Sequence, residues 1–346
     1  MRKGKAVLRL AIAVTLLSVG ILGAYGQKQQ LVISCWGGSS EKNLSAVSKA
    51  FEDANNVELV YDVGNNSDRL NKLRAQKNDP EIDVAFLTSS FSAIGNQEGL
   101  FEKVSVKDVP NINDLYDFAK SKTGYGPTYS VTSYGLFYDT QKVSPPPTSW
   151  NDLWDPKYAG KISVADITGT SGPLLLVEAS AMASGDRYNI DAGFKKMAQL
   201  KPSIFNFYLS SSDVATMFER GEIVMVPFAD MFLKALQDSG LHVAMVVPKE
   251  GSFATPATIN IVKGTKNLAL AEKYVNFILG ADTQARIAAV MSESPVNRKT
   301  VLSPEVAKYL IYGEAAVKKL LTFDDDFINN NKAAWIERWD KEISNK

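Results

Sequence analysis

Short apolar runs alternate with amphipathic stretches from early in the chain. Leu31 to Ser34 reads as a strand, followed by a segment in which Leu44, Val47, Phe51 and Ala54 share one helical face. Val57 to Tyr61 reads as a second strand, Arg69 to Gln76 as a helix with Leu70 and Leu73 inward, and Asp83 to Leu87 as a third strand. Three strands separated by two helices in so short a span predict parallel strands joined by right-handed crossovers, with helices on both faces, hence an α/β fold. Tyr129 to Tyr138 is extended and Pro145-Pro146-Pro147 ends it; Trp150 to Trp154 makes a short helical turn and Lys161 to Ala165 a further strand. Pro173 suits the first position of a helix running to Met182. Ser203 to Tyr208 leads into Ser210-Ser211-Ser212-Asp213, an N-cap cluster before Val214, Met217 and Phe218. Ile223 to Pro227 and His242 to Val247 are apolar strands around a helical Met231 to Gln237; Thr258 to Val262 is extended and Leu268 to Leu279 helical. From Pro304 the pattern is helical, interrupted at Phe323 to Ile328.

The first residues change the picture of where the chain works. Arg2, Lys3, Lys5 and Arg9 precede an apolar run from Leu10 to about Gly23. This is the plan of a secretory signal, shorter than the ~20 residues of a comfortable membrane span. Ala24-Tyr25-Gly26 fits small-x-small cleavage, so residues 1–26 are expected to be removed and the mature protein to be periplasmic; a retained membrane anchor is the competing expectation. No Cys stands at the cleavage point to take a lipid. The 346 residues carry 38 Lys+Arg against 38 Asp+Glu. Losing the four positive charges of the leader leaves 34 against 38, a mildly acidic exported chain that is a poor nucleic-acid binder. A composition of 45% hydrophobic and 22% charged residues excludes a disordered, collagenous or disulfide-scaffold protein, and the length suggests about two domains. One Cys and one His leave a Cys/His zinc site or a Cys-His nucleophile pair without parts, so neither cofactor nor metal is expected.

Candidate chemistry gathers where strands give way to helices. Trp36-Gly37-Gly38-Ser39-Ser40, Thr168-Gly169-Thr170-Ser171-Gly172 and Ser210-Ser211-Ser212-Asp213 share one style, and in a parallel sheet such junctions lie at the carboxyl ends of the strands. Each offers unpaired helix-start N–H groups and hydroxyls that suit a carboxylate or phosphate oxygen; plain helix capping is the competing explanation. Trp36, Phe91, Tyr129, Tyr134, Tyr208, Phe228 and Phe253 lie near strand ends and could wall a small-molecule pocket. For Phe228 and Phe253 core and pocket weigh equally, whereas Trp36, beside two glycines, points to a pocket. Asp166 and Asp230 end strands, where a carboxylate could pair with an amine; for Asp230 a turn or cap is the preferred role. His242 reads as structural, and Asp324-Asp325-Asp326 as a solvated turn, since it lacks the Gly and bidentate Glu of a calcium loop. Phosphate-cradling, nucleophile-elbow and dinucleotide motifs are missing.

Several strings together resemble a known family. They are Cys35-Trp36-Gly37-Gly38, the stretch Thr148-Ser149-Trp150-Asn151-Asp152-Leu153-Trp154-Asp155-Pro156-Lys157-Tyr158-Ala159-Gly160-Lys161, Phe218-Glu219-Arg220-Gly221-Glu222, Val247-Pro248-Lys249-Glu250-Gly251, Ser294-Pro295-Val296-Asn297 and the tail around Trp335-Ile336-Glu337-Arg338-Trp339. The chain is similar in these to the extracytoplasmic solute-binding proteins of ABC importers, in particular the spermidine/putrescine-binding branch. The resemblance implies two doubly wound α/β lobes joined by two extended crossovers near Tyr129 to Ser133 and Ala254 to Ala257. Lobe one would hold residues 27–131 and 255–298, lobe two residues 132–254 and 299–346. Ligand positions implied are Trp36, Thr88, Ser89, Ser90, Asp166, Phe228, Phe253 and Thr255; the junction chemistry adds Gly37, Gly38, Ser39, Thr168, Gly169, Thr170, Ser171 and Tyr208. This chain departs from the polyamine branch where that branch has a second acid after the one matching Asp166, and an aromatic-Asp pair at the second crossover. Thr168 to Ser171 and Ala254-Thr255-Pro256-Ala257 stand there instead. A dication needs paired charge when buried, so the ligand stays open between a polyamine-like amine and a small carboxylate or phosphonate. The expectation is a monomeric, non-catalytic receptor that passes its solute to an inner-membrane permease. A secreted hydrolase or lyase using Asp166 or Asp230, and a ferric-ion binder, are the rivals.

Overall fold

A computed structural model describes residues 28–344; the expected signal and its cleavage point lie outside the described residues. The chain begins with strand β1 (Gln29–Cys35), helix α1 (Ser39–Asn55), β2 (Val57–Val63), α2 (Asn66–Ala75), β3 (Val84–Thr88) and α3 (Ser89–Gln97). The parallel expectation holds here, since β1 pairs in parallel with both β2 and β3. Val84, Ala85, Phe86 and Leu87 are all buried, the unbroken apolar run of a strand covered on both faces. α1 places Leu44, Val47 and Phe51 against that sheet, as its spacing predicts.

The long strand β4 (Thr128–Asp139) leaves this lobe and enters the second. There follow β5 (Ile162–Ala165), α4 (Ser171–Ser184), α5 (Ile190–Leu200), β6 (Ile204–Tyr208), α6 (Ser211–Glu219), β7 (Met225–Ala229), α7 (Leu233–Asp238) and β8 (Val243–Val246). Strand β9 (Ser252–Ile261) returns to the first lobe, which α8 (Leu268–Ile278), α9 (Ala281–Met291) and the short β10 (Ser294–Pro295) complete. β11 (Leu320–Leu321) and a C-terminal helix, Asp325–Trp339, lead into a wider last turn, Asp340–Ser344, that ends the described chain.

The sheet runs β2-β1-β3-β9-β4-β7-β5-β6 without a break, so the two extended crossovers are themselves the central, antiparallel strands. Their halves belong to different cores. One cluster joins Leu31, Phe86, Val131, Ala254, Tyr274 and Val296; another joins Leu136, Trp150, Leu176, Phe253, Trp335 and Trp339. The change of core falls between Val131 and Leu136 on β4, and between Phe253 and Ala254 on β9. The expected interruption at 323–328 is corrected: Asp324 accepts the Phe327 N–H at 2.9 Å and starts the C-terminal helix there, so this acid is a cap.

Candidate functional site

The first lobe's part of the candidate site is built on the ends of β1 and β3. Trp36, half-buried after β1, lies over the guanidinium of Arg69 from α2, with 4.4 Å from Cζ to the ring centroid. Arg69 is itself buried, and it is held by backbone oxygens and an amide rather than by a carboxylate. It donates to the carbonyls of Phe86, Ser34 (3.4 Å) and Asn65 (3.3 Å), and to Asn66 Oδ1 at 3.0 Å. Burial pulls its pKa down to about 10. Gly37, Gly38 and Ser39 are exposed, and Gly38 starts α1 with φ 72 and no side-chain cap, a backbone state that a side chain would strain. Thr88, Ser89 and Ser90 are half-buried; Thr88 Oγ1 lies 3.3 Å from Ser90 Oγ. Thr255 ties the two crossovers together, donating to the Thr132 carbonyl at 3.1 Å.

In the second lobe the loop after β5 closes on itself. Asp166 Oδ1 accepts from the Thr168 N–H at 3.0 Å and the Thr168 hydroxyl at 2.7 Å. Gly169 donates to the Asp166 carbonyl at 2.9 Å, and a Cβ on Gly172 would sit 2.3 Å from that same oxygen, so only glycine lets the turn close. Thr170 is exposed, has its side chain beside the Tyr134 hydroxyl, and does not cap α4 through its side chain. Tyr208 donates its one proton to the Pro227 carbonyl at 2.8 Å. The Ser171 hydroxyl, 2.9 Å from Tyr208, must therefore be the donor in that contact. Burial raises the Tyr134 pKa to about 12 and pushes Tyr208 up as well.

Two of the aromatic expectations are corrected. Phe253 is fully buried, stacked on Trp150 at 4.2 Å and edge-on to Phe323, because its position on β9 faces the second core. Phe228 is buried among Phe137, Tyr208 and Phe232. The third junction is also ordinary capping, since Ser210 and Asp213 close a reciprocal capping box.

Sequence reasoning missed what joins the loops of the two lobes. Asp325, Asn329 and Lys332 are spaced to lie on one face of the C-terminal helix. Asn329 donates to the Ser90 carbonyl at 2.9 Å, Asp325 faces the Ser89 side chain, and Lys332 donates to the Thr168 carbonyl at 3.2 Å. Gln97 reaches Asp326 from α3 at 2.8 Å. The Thr88–Ser90 and Thr168–Ser171 loops thus share one helix. A single sequence gives no sign of this beyond the regular spacing of the tail. A surface depression of about 390 Å³ near Ala50, Asn111, Phe277 and Arg286 lies on the first lobe and contains none of the predicted site residues. Among the described residues, no three His, Cys, Asp or Glu side chains converge as a metal site.

The model of the bacterial extracellular solute-binding protein family matches residues 46–312. The chain belongs to that family. This solute-binding protein is 28% identical over 296 residues to a gamma-aminobutyric acid-binding protein of Pseudomonas aeruginosa, covering 80% of each chain. It is 23% identical over 267 residues to a spermidine/putrescine-binding periplasmic protein of Escherichia coli, covering 74% of this chain and 76% of the other. Among solved structures, an ABC transporter protein from Clostridium perfringens superposes with a TM-score of 0.82 at 36% identity, covering 90% of this chain and all but 1% of the other. The expected family and the two-lobed α/β architecture are borne out, and the molecule is a small-solute receptor of an ABC importer.

Proposed function

We propose that this receptor works in the periplasm, without chemistry, and takes a small solute that carries both an amine and an acid, of the ω-amino acid kind. The observation that carries the reading is the state of the loop after β5. Asp166 is the acid through which the resemblance would grip an amine, and it is bonded back to Thr168. The helix start beside it keeps its N–H groups free of any side-chain cap. That end of the seam favours an anion, through the N–H groups of α4, its dipole and the Thr170 and Tyr134 hydroxyls. The Pseudomonas aeruginosa relative, named for gamma-aminobutyrate, supports a ligand with this head group.

The lobes would be residues 27–131 with 255–298, and 132–254 with 299–346, closing on the solute as β4 and β9 flex. Trp36, Gly37, Gly38, Ser39, Thr88, Ser89, Ser90 and Thr255 would face it from one side, and Thr168, Gly169, Thr170 and Ser171 from the other. Tyr208 positions Ser171. Calorimetry with gamma-aminobutyrate and putrescine tests the proposal. The aminobutyrate is expected to bind more tightly, and Thr170→Ala to weaken it about tenfold, the size of one charge-assisted hydrogen bond. Preference for putrescine, with Thr170→Ala silent, would overturn the reading.

A further inference from the structure

Glu293 lies between the end of α9 and β10. Ser292 turns the chain there with φ 55, and Ser294 then pairs with Val131, which sets Glu293 alongside Thr132 of the first crossover. The hydroxyls of Tyr129 and Ser130, on that same crossover, face its carboxyl and favour the ionised form, against the burial that raises its pKa. Its Oε2 is nevertheless buried with no hydrogen-bond partner, although the residue as a whole keeps partial exposure. None of the ion pairs among the described residues includes it. The nearby guanidinium is not available to balance it, because Arg69 is committed to Ser34, Phe86, Asn65 and Asn66 beneath Trp36.

A carboxylate taken out of water without a cation is costly, and proteins keep such groups where a ligand supplies the missing charge. Burial raises the Glu293 pKa, with the Ser130 and Tyr129 hydroxyls opposing it, so the ionised form needs a cation beside it, and one oxygen is left over to meet that cation. An ammonium group, with three donors on one small head, matches that deficit, whereas a neutral hydroxyl would leave the charge unbalanced. Trp36 lies over Arg69, Arg69 donates to the Phe86 carbonyl, and the Phe86 ring meets Tyr129 edge-on at 4.9 Å, so these groups lead along the first lobe to the Tyr129 hydroxyl that faces Glu293.

Resting on the receptor reading above, we infer that Glu293 seats the primary ammonium group of the solute and so sets the preference for ω-amino acids over their des-amino analogues. Titrations followed by tryptophan fluorescence, with gamma-aminobutyrate, putrescine and butyrate, test this on the mature protein. In Glu293→Gln, affinity for gamma-aminobutyrate is expected to fall tenfold or more while that for butyrate stays within twofold, the loss of one charge-assisted contact. If both affinities fall together, or neither falls, the assignment to Glu293 is wrong while the receptor reading stands. If the unaltered protein binds none of the amines, the receptor reading itself fails. Should Glu293→Gln not fold, Ser130→Ala withdraws one hydroxyl from the carboxylate and must narrow the same aminobutyrate-to-butyrate ratio severalfold. An unchanged ratio there overturns the inference.

Discussion

The first lobe's side of the seam holds ionisable groups out of water with no opposite charge paired to them, whereas on the second lobe's side Asp166, Ser171 and Tyr208 are tied into their own loops. Arg69 is surrounded by carbonyls and Glu293 by hydroxyls, and neither has an opposite charge in an ion pair. Across the seam, Asp166 bonds its own loop, and Ser171, Tyr208 and Pro227 form a closed relay. Asp230, which ends β7, accepts the Ser133 N–H of the crossover at 3.2 Å and also meets the Ser294 side chain. Burial lifts its pKa to about 8, so it is largely protonated at neutral pH. Two strand-end acids in one protein therefore differ from Glu293 in partners or in exposure. Asp166 is taken up by its own loop, and Asp230, although its Oδ2 is buried without a partner as Glu293 Oε2 is, is closed in almost completely, whereas Glu293 keeps partial exposure beside the first crossover.

Three measurements test this contrast. The largest effect is expected from Arg69→Ala, which strips donors from several buried carbonyls and opens a cavity under Trp36. Urea unfolding should show a loss of about 3 kcal/mol or more; a loss under about 1 kcal/mol would mean that the guanidinium is not structurally committed. Asp230 comes next. Between its unfolded value of 3.8 and about 8, the folded chain keeps a proton that the unfolded chain has lost. Its contribution to stability is thus present at pH 4 and is lost as pH rises toward 8, with a slope of up to about 1.4 kcal/mol per pH unit. Asp230→Asn should flatten that part of the stability–pH curve, and superimposable curves for the two proteins would contradict a neutral Asp230. The smallest effect is expected for Asp166→Asn, because an amide oxygen still accepts from Thr168. Aminobutyrate affinity should stay within about threefold and stability within about 1 kcal/mol. Abolished binding would instead make Asp166 the amine's partner.

The elements of both lobes were legible because apolar spacing alone sets them, as at Leu44, Val47 and Phe51 in α1 or the buried run of β3. The crossovers were legible through the strings that mark the family. Phe253 was not, because a strand that passes between two cores presents alternate residues to different surroundings, and Phe253 and Ala254 fall on opposite sides of that change. Glu293 and Arg69 carry no local pattern at all. One follows a helix end and the other sits in an amphipathic helix, and only the fold reveals that each has lost water without gaining a counter-charge. Asp166 was placed correctly at its strand end, but the turn that occupies its carboxylate depends on Gly172 allowing the chain to approach its backbone oxygen.

The tail has a consequence for the order of assembly. Trp335, Trp339 and Ile343 belong to the same core as Leu136 and Trp150, and Trp339 packs edge-on against Phe207. The inner strands of that lobe stand far upstream in the chain of the indole rings that seal them. Half of the molecule stays partly unsealed until those rings have docked.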